Sequence, residues 1–235
     1  MLISEIFLSI DGEGVRAGYP VVFIRTVGCP LRCSYCDTSY AFEADETTQN
    51  LSIDEIVKKC NSFGINRVTI TGGEPLIQKQ ITELIETLIN NKYEVNIETS
   101  GAIYYDIREL DSVLLYYAWL DGRLFFTYDY KCPISSMQDK MEKRIFQNLG
   151  PYDLVKFVVG SQEDLDFMGT KIKEIEKYNS GYVFSTCLNR YYVSPVFGKI
   201  EPKDIVTYLC DNKIQNVRLQ LQLHKFIWEP TKRGV

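Results

Sequence analysis

The sequence predicts an α/β fold of parallel β-α units, and three observations carry that reading. Short apolar, β-branched runs alternate with stretches of helical periodicity. The segments after the strand-like runs are polar, glycine-rich or cysteine-bearing, as expected for loops that line the ligand-binding rim of a parallel sheet. No internal repeat and no Pro/Gly/Ser-rich linker divides the 235 residues, so one domain over 1–235 is expected. A chain of that length can bury a large core without disulfides.

The elements follow in order. Residues 21–27 (VVFIRTV) read as a buried strand. Ser52 and Glu55 form a capping box. The helix they open carries Ile53, Ile56, Val57, Cys60 and Phe63 on one face and stops at Gly64. Residues 67–71 form the next strand. Ile81, Leu84, Ile85, Leu88 and Ile89 lie at helical spacing, and 93–99 return as a strand. Further strands are expected over 124–131, 154–159, 182–186 and 217–224, with helices around 136–148, 163–178 and 202–212. Such alternation implies right-handed crossovers.

Composition narrows the function. With 45% hydrophobic and 24% charged residues the chain is neither disordered nor fibrous. The net charge is −5 and Lys and Arg are scattered, which argues against a nucleic-acid surface but leaves room for a local anion pocket. No apolar run approaches the ~20 residues of a membrane helix. The first residues, Met1 to Glu5, lack a basic segment followed by an apolar one, so a cytoplasmic protein is expected.

Three of the seven cysteines, Cys29, Cys33 and Cys36, fall within eight residues in the spacing C-x3-C-x2-C. Such a cluster points to metal or redox chemistry. Zinc sites want four ligands, whereas three thiolates suffice for a [4Fe–4S] cluster with one open iron. The one histidine, His224, is remote in sequence, and Cys60, Cys132, Cys187 and Cys210 form no second CxxC pair. Spacing favours the cluster, with a zinc-stabilised binding module as the rival. Cys60, Cys187 and Cys210 are expected in the core, as are the pairs Tyr104-Tyr105 and Tyr116-Tyr117, with an association surface as the alternative for the tyrosines; Cys132 is left open. In TGGEP (71–75) the glycines would let backbone approach a ligand, and Glu74 could balance a cation.

With Tyr35 before the last cysteine and TGGEP 35 residues beyond it, the chain resembles the radical S-adenosylmethionine enzymes. That resemblance implies an incomplete parallel (β/α) barrel. It also implies a [4Fe–4S] cluster whose open iron chelates S-adenosylmethionine, and cleavage of that cofactor to a 5′-deoxyadenosyl radical. Within that group residues 5–41 (EIFLSIDGEGVRAGYPVVFIRTVGCPLRCSYCDTSYA) resemble the 7-carboxy-7-deazaguanine synthases. IETSG (97–101), DYKCPISS (129–136), VKFVV (155–159), SPVFG (194–198) and the C-terminal LQLHKFIWEPTKRGV (221–235) have counterparts there in the same order. The implied reaction is ring contraction of 6-carboxy-5,6,7,8-tetrahydropterin to 7-carboxy-7-deazaguanine with loss of ammonia, a step toward queuosine. A glycyl-radical activating enzyme is the nearer rival.

The same resemblance assigns roles. Cys29, Cys33 and Cys36 would hold the cluster, and Thr38 a Mg²⁺. Tyr35, Cys36, Asp37, Gly73 and Glu74 would contact S-adenosylmethionine. So would Asp129, Tyr130, Lys131, Ser135 with Ser136, and Ser194, Pro195, Val196 and Phe197. Ile10, Asp11, Gly12, Glu13, Arg25, Thr71 and His224 would hold the pterin, with Arg25 as a bidentate carboxylate clamp. Asp11 stands where the family usually has Gln, Pro30 where it has Asn, and Ser100 replaces a common Asn. An aspartate can accept from ring N–H groups but cannot donate as an amide does. An electron donor such as flavodoxin or ferredoxin and a homodimer are also implied. Whether the final Arg-Gly-Val folds over the site is left open by the sequence.

Overall fold

The computed structural model describes residues 1–179, 190–229 and 232–235. The strand expected over 182–186 and Cys187 lie outside the described residues. Among those described, nine strands form one sheet in the order β3-β1-β2-β4-β5-β6-β7-β8-β9. β1 (Leu2–Ile10) is antiparallel to β2 (Pro20–Thr26), and β3 (Gln49–Asn50) is antiparallel to β1. From β2 onward each neighbour is parallel: β4 (Arg67–Gly72), β5 (Glu94–Thr99), β6 (Leu124–Tyr130), β7 (Leu154–Val159), β8 (Tyr191–Pro195) and β9 (Val217–Leu219).

Strand alternation sorts the sheet into two unlike faces. Val22, Ile24, Val68, Ile70, Val95, Ile97, Phe126, Val155, Phe157 and Val193 face one way and are buried in the main core. Against them pack the apolar stripes of α1 (Ile53–Ser62), α2 (Ile81–Asn90), α3 (Val113–Asp121) and α5 (Gln162–Asn179), and Ile205 of α6 (Pro202–Asp211). The Ser52 capping box forms as the sequence indicates, with Ser52 Oγ accepting from Glu55 N–H and Glu55 Oε2 accepting from Ser52 N–H. The other face carries Arg25, Thr71, Glu98, Thr127, Asp129 and Lys156, all lining one cavity. An apolar outer layer and a polar lumen are what an open α/β barrel presents.

Several elements depart from the sequence reading. β1, β3, β8 and α3 are absent from the sequence reading. α3 (VLLYYAWLD) is apolar almost all round, so no periodicity marks it. Its Tyr116 and Tyr117 are exposed, Tyr117 by 61%, and not in the core as expected. Cys210 is likewise exposed, whereas Cys60 and Cys132 are buried. The helix expected over 136–148 is replaced by 3-10 turns and a four-residue α4 (Lys143–Phe146): Ser136 at φ +59 sits outside any helix, and the extended backbone of Met141 and Glu142 separates the turn from α4. The strand expected over 217–224 ends at Leu219. Gln220 N–H donates to Val193 O, and the chain turns so that His224 opens the short α7 (His224–Ile227).

Candidate active site

The lumen opens into a cavity of about 270 Å³. Cys29, Cys33 and Cys36 form its upper wall; all three thiols are free and half-buried. The loop that carries them follows β2 and is held by backbone bonds on both sides. Gly28 N–H donates to Ala41 O at 2.8 Å, and Glu74 N–H donates to Gly28 O at 2.7 Å. Gly72 and Gly73 make that fit possible. A Cβ on Gly73 would stand 2.1 Å from Gly28 O, and one on Gly72 would stand 2.3 Å from Thr26 O. The glycines of TGGEP therefore admit the protein's own cysteine loop, although Gly73 also borders the cavity.

Glu74 does not reach the cavity. It is 0% exposed, and its carboxylate accepts from Leu76 N–H, Thr99 Oγ1, Ser100 N–H and Ser100 Oγ. It ties the end of β4 to the end of β5, which corrects its expected contact with a cofactor. Tyr130 is corrected for a different reason. Alternation puts Asp129 and Lys131 in the lumen and turns Tyr130 outward, where its ring stacks on Phe157 at 5.3 Å and packs on Phe146. Ser135 is buried behind the rim, its hydroxyl donating to Cys132 O at 2.6 Å. Ser194 faces the lumen floor and donates to Glu13 Oε1, and Pro195 is not among the lining residues, while Val196 and Phe197 are.

Under the lumen lies the loop after β1. Ile10, Gly12 and Glu13 line the cavity, but Asp11 turns away from it. Its carboxylate is buried against Arg16, at 2.8 Å, and Thr69, at 3.0 Å. Arg16 in turn donates to Val68 O and packs on the Phe125 ring, so the pair seals the bottom of the barrel. An aspartate at this position serves the fold's own arginine. Arg25 projects into the cavity beside Glu5, which holds its Nε at 2.7 Å, with the rings of Phe7 and Tyr40 against its guanidinium. Thr71 and His224 also border the space, and Thr38 donates to Asp37 at 3.0 Å.

Sequence reading missed several charged or polar side chains of this cavity, Lys156, Gln222, Lys225 and Glu98 among them. Lys156 Nζ is 2.8 Å from Glu13 Oε2 and 3.9 Å from Asp129 Oδ2. Gln222 donates to Glu13 Oε2 at 3.3 Å. Lys225 pairs with Asp37 at 3.0 Å. Glu98 stands among these charges. A signal was available in part, because RVTITG, EVNIET and LFFTYDY place polar residues at alternate positions of their strands, whereas LVKFVV carries only the single lysine. Lys232, Arg233, Gly234 and Val235 line the mouth, with Arg233 3.6 Å from the centre of the Tyr40 ring.

Burial would neutralise these charges, but their pairing prevents it. Desolvation raises the Glu13 and Asp129 carboxyls, yet Lys156 and Lys131 outweigh it and keep both below the usual carboxylate range. The two lysines are held as cations in return, against the same desolvation. Glu98 is the exception. Burial, with help from Asp11 and Glu13, pushes it up to about 7 despite Lys156 and the Thr71 hydroxyl. It is therefore a group that can take or give a proton near neutrality. A raised folded-state value means that stability is fully present below 4.5 and is lost as pH rises through about 7. In ligand-free protein E98Q should thus gain on wild type across that window, by on the order of 1–3 kcal/mol, and no further above it. Chemical unfolding of both proteins across this pH range checks it; a difference that does not vary with pH would contradict the assignment.

The residues present fit a cluster with a bound cofactor. Three unpaired thiols are the soft donor set of iron–sulfur iron. Beside them the buried Tyr35 hydroxyl and Asp129 Oδ1 have no hydrogen-bond partner among the described residues, as expected of groups aimed at a ligand. Among the described residues no three His, Cys, Asp or Glu side chains are grouped to hold a single metal ion.

Fold and thiol loop together define a radical S-adenosylmethionine protein, and the model of the Radical SAM superfamily matches residues 23–116. The chain is 40% identical over 234 residues to the 7-carboxy-7-deazaguanine synthase of Clostridium acetobutylicum, covering 99% of this chain and 98% of that one. It is 33% identical to the enzyme of the same name from Chlorobaculum tepidum, over 99% and 96% of the two chains. A crystal structure of QueE from Escherichia coli shares the fold, with TM-score 0.66, 20% identity and coverage of 94% and 92%. The chain belongs to the 7-carboxy-7-deazaguanine synthase family.

Proposed function

We propose that the chain converts 6-carboxy-5,6,7,8-tetrahydropterin to 7-carboxy-7-deazaguanine with release of ammonia, as one domain over residues 1–235. The observation that carries this reading is that the three thiols and the charged lumen open into one cavity. When bound, the [4Fe–4S] cluster and S-adenosylmethionine supply a 5′-deoxyadenosyl radical for hydrogen abstraction. Everything else falls to the chain's own residues.

Cys29, Cys33 and Cys36 hold the cluster. Tyr35 Oη, Asp129 Oδ1 and the cationic Lys131 face the cofactor. Arg25, stiffened by Glu5 and two rings, takes the substrate carboxylate through its outer nitrogens. Ile10, Gly12 and Glu13 offer backbone and carboxylate to the pterin ring, and Thr71 and Glu98 border its other side. Burial keeps the His224 ring neutral despite the carboxylates of Glu13 and Asp37, so it can donate and accept at once. The C-terminal residues at the mouth exclude water. Thr38 and the substrate carboxylate suit a Mg²⁺, which takes oxygen ligands and keeps waters. A low-potential donor such as flavodoxin or ferredoxin supplies the electron, the chain works as a homodimer, and three unpaired thiols suit a reducing cytoplasm.

The test is anaerobic reconstitution, then incubation with S-adenosylmethionine, reductant and the carboxytetrahydropterin. The expected result is a deazaguanine product, with none from Cys36→Ala. A protein that cleaves S-adenosylmethionine yet leaves the pterin unchanged would overturn the substrate assignment.

A further inference from the structure

We infer that Lys156 is a positioning residue that couples the pterin end of the cavity to the cofactor end. The inference rests on the reading above and goes beyond it. Its basis is a row of alternating charges. Glu13 belongs to the loop under the lumen. Lys156 Nζ is 2.8 Å from its Oε2 and 3.9 Å from Asp129 Oδ2. Asp129 Oδ2 is 2.8 Å from Lys131 Nζ, and that ammonium stands 5.9 Å from the centre of the Tyr35 ring, one residue from Cys36. The row thus runs from the lumen floor to the thiol wall.

Lys156 occupies the one position in this row that serves both ends. It sits opposite Asp129 in the β6–β7 register, and its side chain is 10% exposed. One ammonium is shared unequally between two carboxylates, closer to Glu13 than to Asp129. Asp129 also has a spare acceptor, because its buried Oδ1 has no partner among the described residues. A cationic or hydroxyl-bearing cofactor that donates to Asp129 reduces the pull of that carboxylate on Lys156. The ammonium then settles on Glu13, which is already held by Ser194 and Gln222. The loop of Ile10–Glu13 is fixed in one arrangement before the pterin arrives. The reverse holds by thermodynamic necessity: a pterin that orders Glu13 fixes Lys156 and improves the cofactor end by the same factor.

The experiment uses holoprotein with an oxidised cluster and no reductant, so that both ligands bind without turnover. Calorimetry measures the dissociation constant of S-adenosylmethionine with and without the carboxytetrahydropterin, and then the reverse. Wild type is expected to show tightening of about fivefold or more, equal in the two directions. Lys156→Met abolishes the factor and Lys156→Arg keeps most of it. The double variant E13Q/K156M removes both charges, so that no buried carboxylate is left unpaired, and it too shows a factor of one; iron content and circular dichroism report its fold. A wild-type factor of one overturns the inference, as does a factor that survives in E13Q/K156M. Loss of pterin binding in the double variant, with unaltered cofactor affinity, also overturns it, because the pair would then be a binding contact alone. Wild type that binds no pterin at all sinks the functional reading with it, whereas two ligands that bind indifferently to each other sink only the coupling.

Discussion

Replacing Gly73 by alanine is expected to give a chain that folds but does not hold an iron–sulfur cluster. The new methyl carbon would lie 2.1 Å from Gly28 O, 2.6 Å from Gly28 C and 2.9 Å from Ala41 O. Every one of these atoms is backbone, so no flexible side chain can swing aside. Gly28 adjoins Cys29, and its carbonyl accepts from Glu74 N–H. Relief of the clash must move the loop that presents the first thiol. Overpacking of this kind costs about 1–3 kcal/mol in stability, which a domain of this size survives. Three thiols that must each reach a different iron of one rigid cluster do not tolerate the displacement. Iron content and visible absorbance after anaerobic reconstitution, compared with the thermal midpoint, separate the two effects. A G73A protein with a full cluster would show that the contact yields more easily than its geometry implies.

Replacing Glu74 by alanine should destabilise the holoprotein by on the order of 4 kcal/mol. The carboxylate is completely buried and accepts from Leu76 N–H at 3.1 Å, Thr99 Oγ1 at 2.7 Å, and Ser100 N–H and Oγ at 2.8 and 2.5 Å. Alanine leaves these donors unsatisfied and opens a void between the ends of β4 and β5. Glutamine keeps the volume and one acceptor but turns an N–H₂ toward a donor, so about half the loss is expected. Urea unfolding of the three proteins measures it. If alanine and glutamine cost the same small amount, the network is not what joins the two strand ends.

The legible part of the site was its local part. Cys29, Cys33 and Cys36 could be read because one short loop must carry all three thiols, and spacing along a loop survives folding. Capping at Ser52 and the apolar stripes of α1 and α2 were legible for the same reason. Lys156 escaped because LVKFVV reads as a buried apolar run, and Glu98 because the alternation in EVNIET groups it with Asn96 on one face without saying what that face meets. Tyr130 shows the converse. It stands between two lumen residues in sequence, and the strand period of two sends it to the opposite face. β8 escaped because a strand of five residues gives too short a pattern, and its last two residues, Ser194 and Pro195, are read through the resemblance as cofactor contacts; α3 escaped because an apolar helix shows no period.

By itself the sequence determined the parallel α/β plan, the thiol loop and the family to which the chain belongs, since each is written in contiguous residues. Only the tertiary structure decided which charges share the lumen. The partners Glu13, Asp129 and Lys156 come from three separated segments: the pairing of β6 with β7 sets Asp129 opposite Lys156, and the loop after β1 brings Glu13 to the same ammonium. The same packing assigned Asp11 to Arg16 and Glu74 to the neighbouring strand end, and neither side chain lines the cavity. Burial makes an unpaired charge costly, so the fold sets which acidic groups it must satisfy itself and which it can leave facing the cavity.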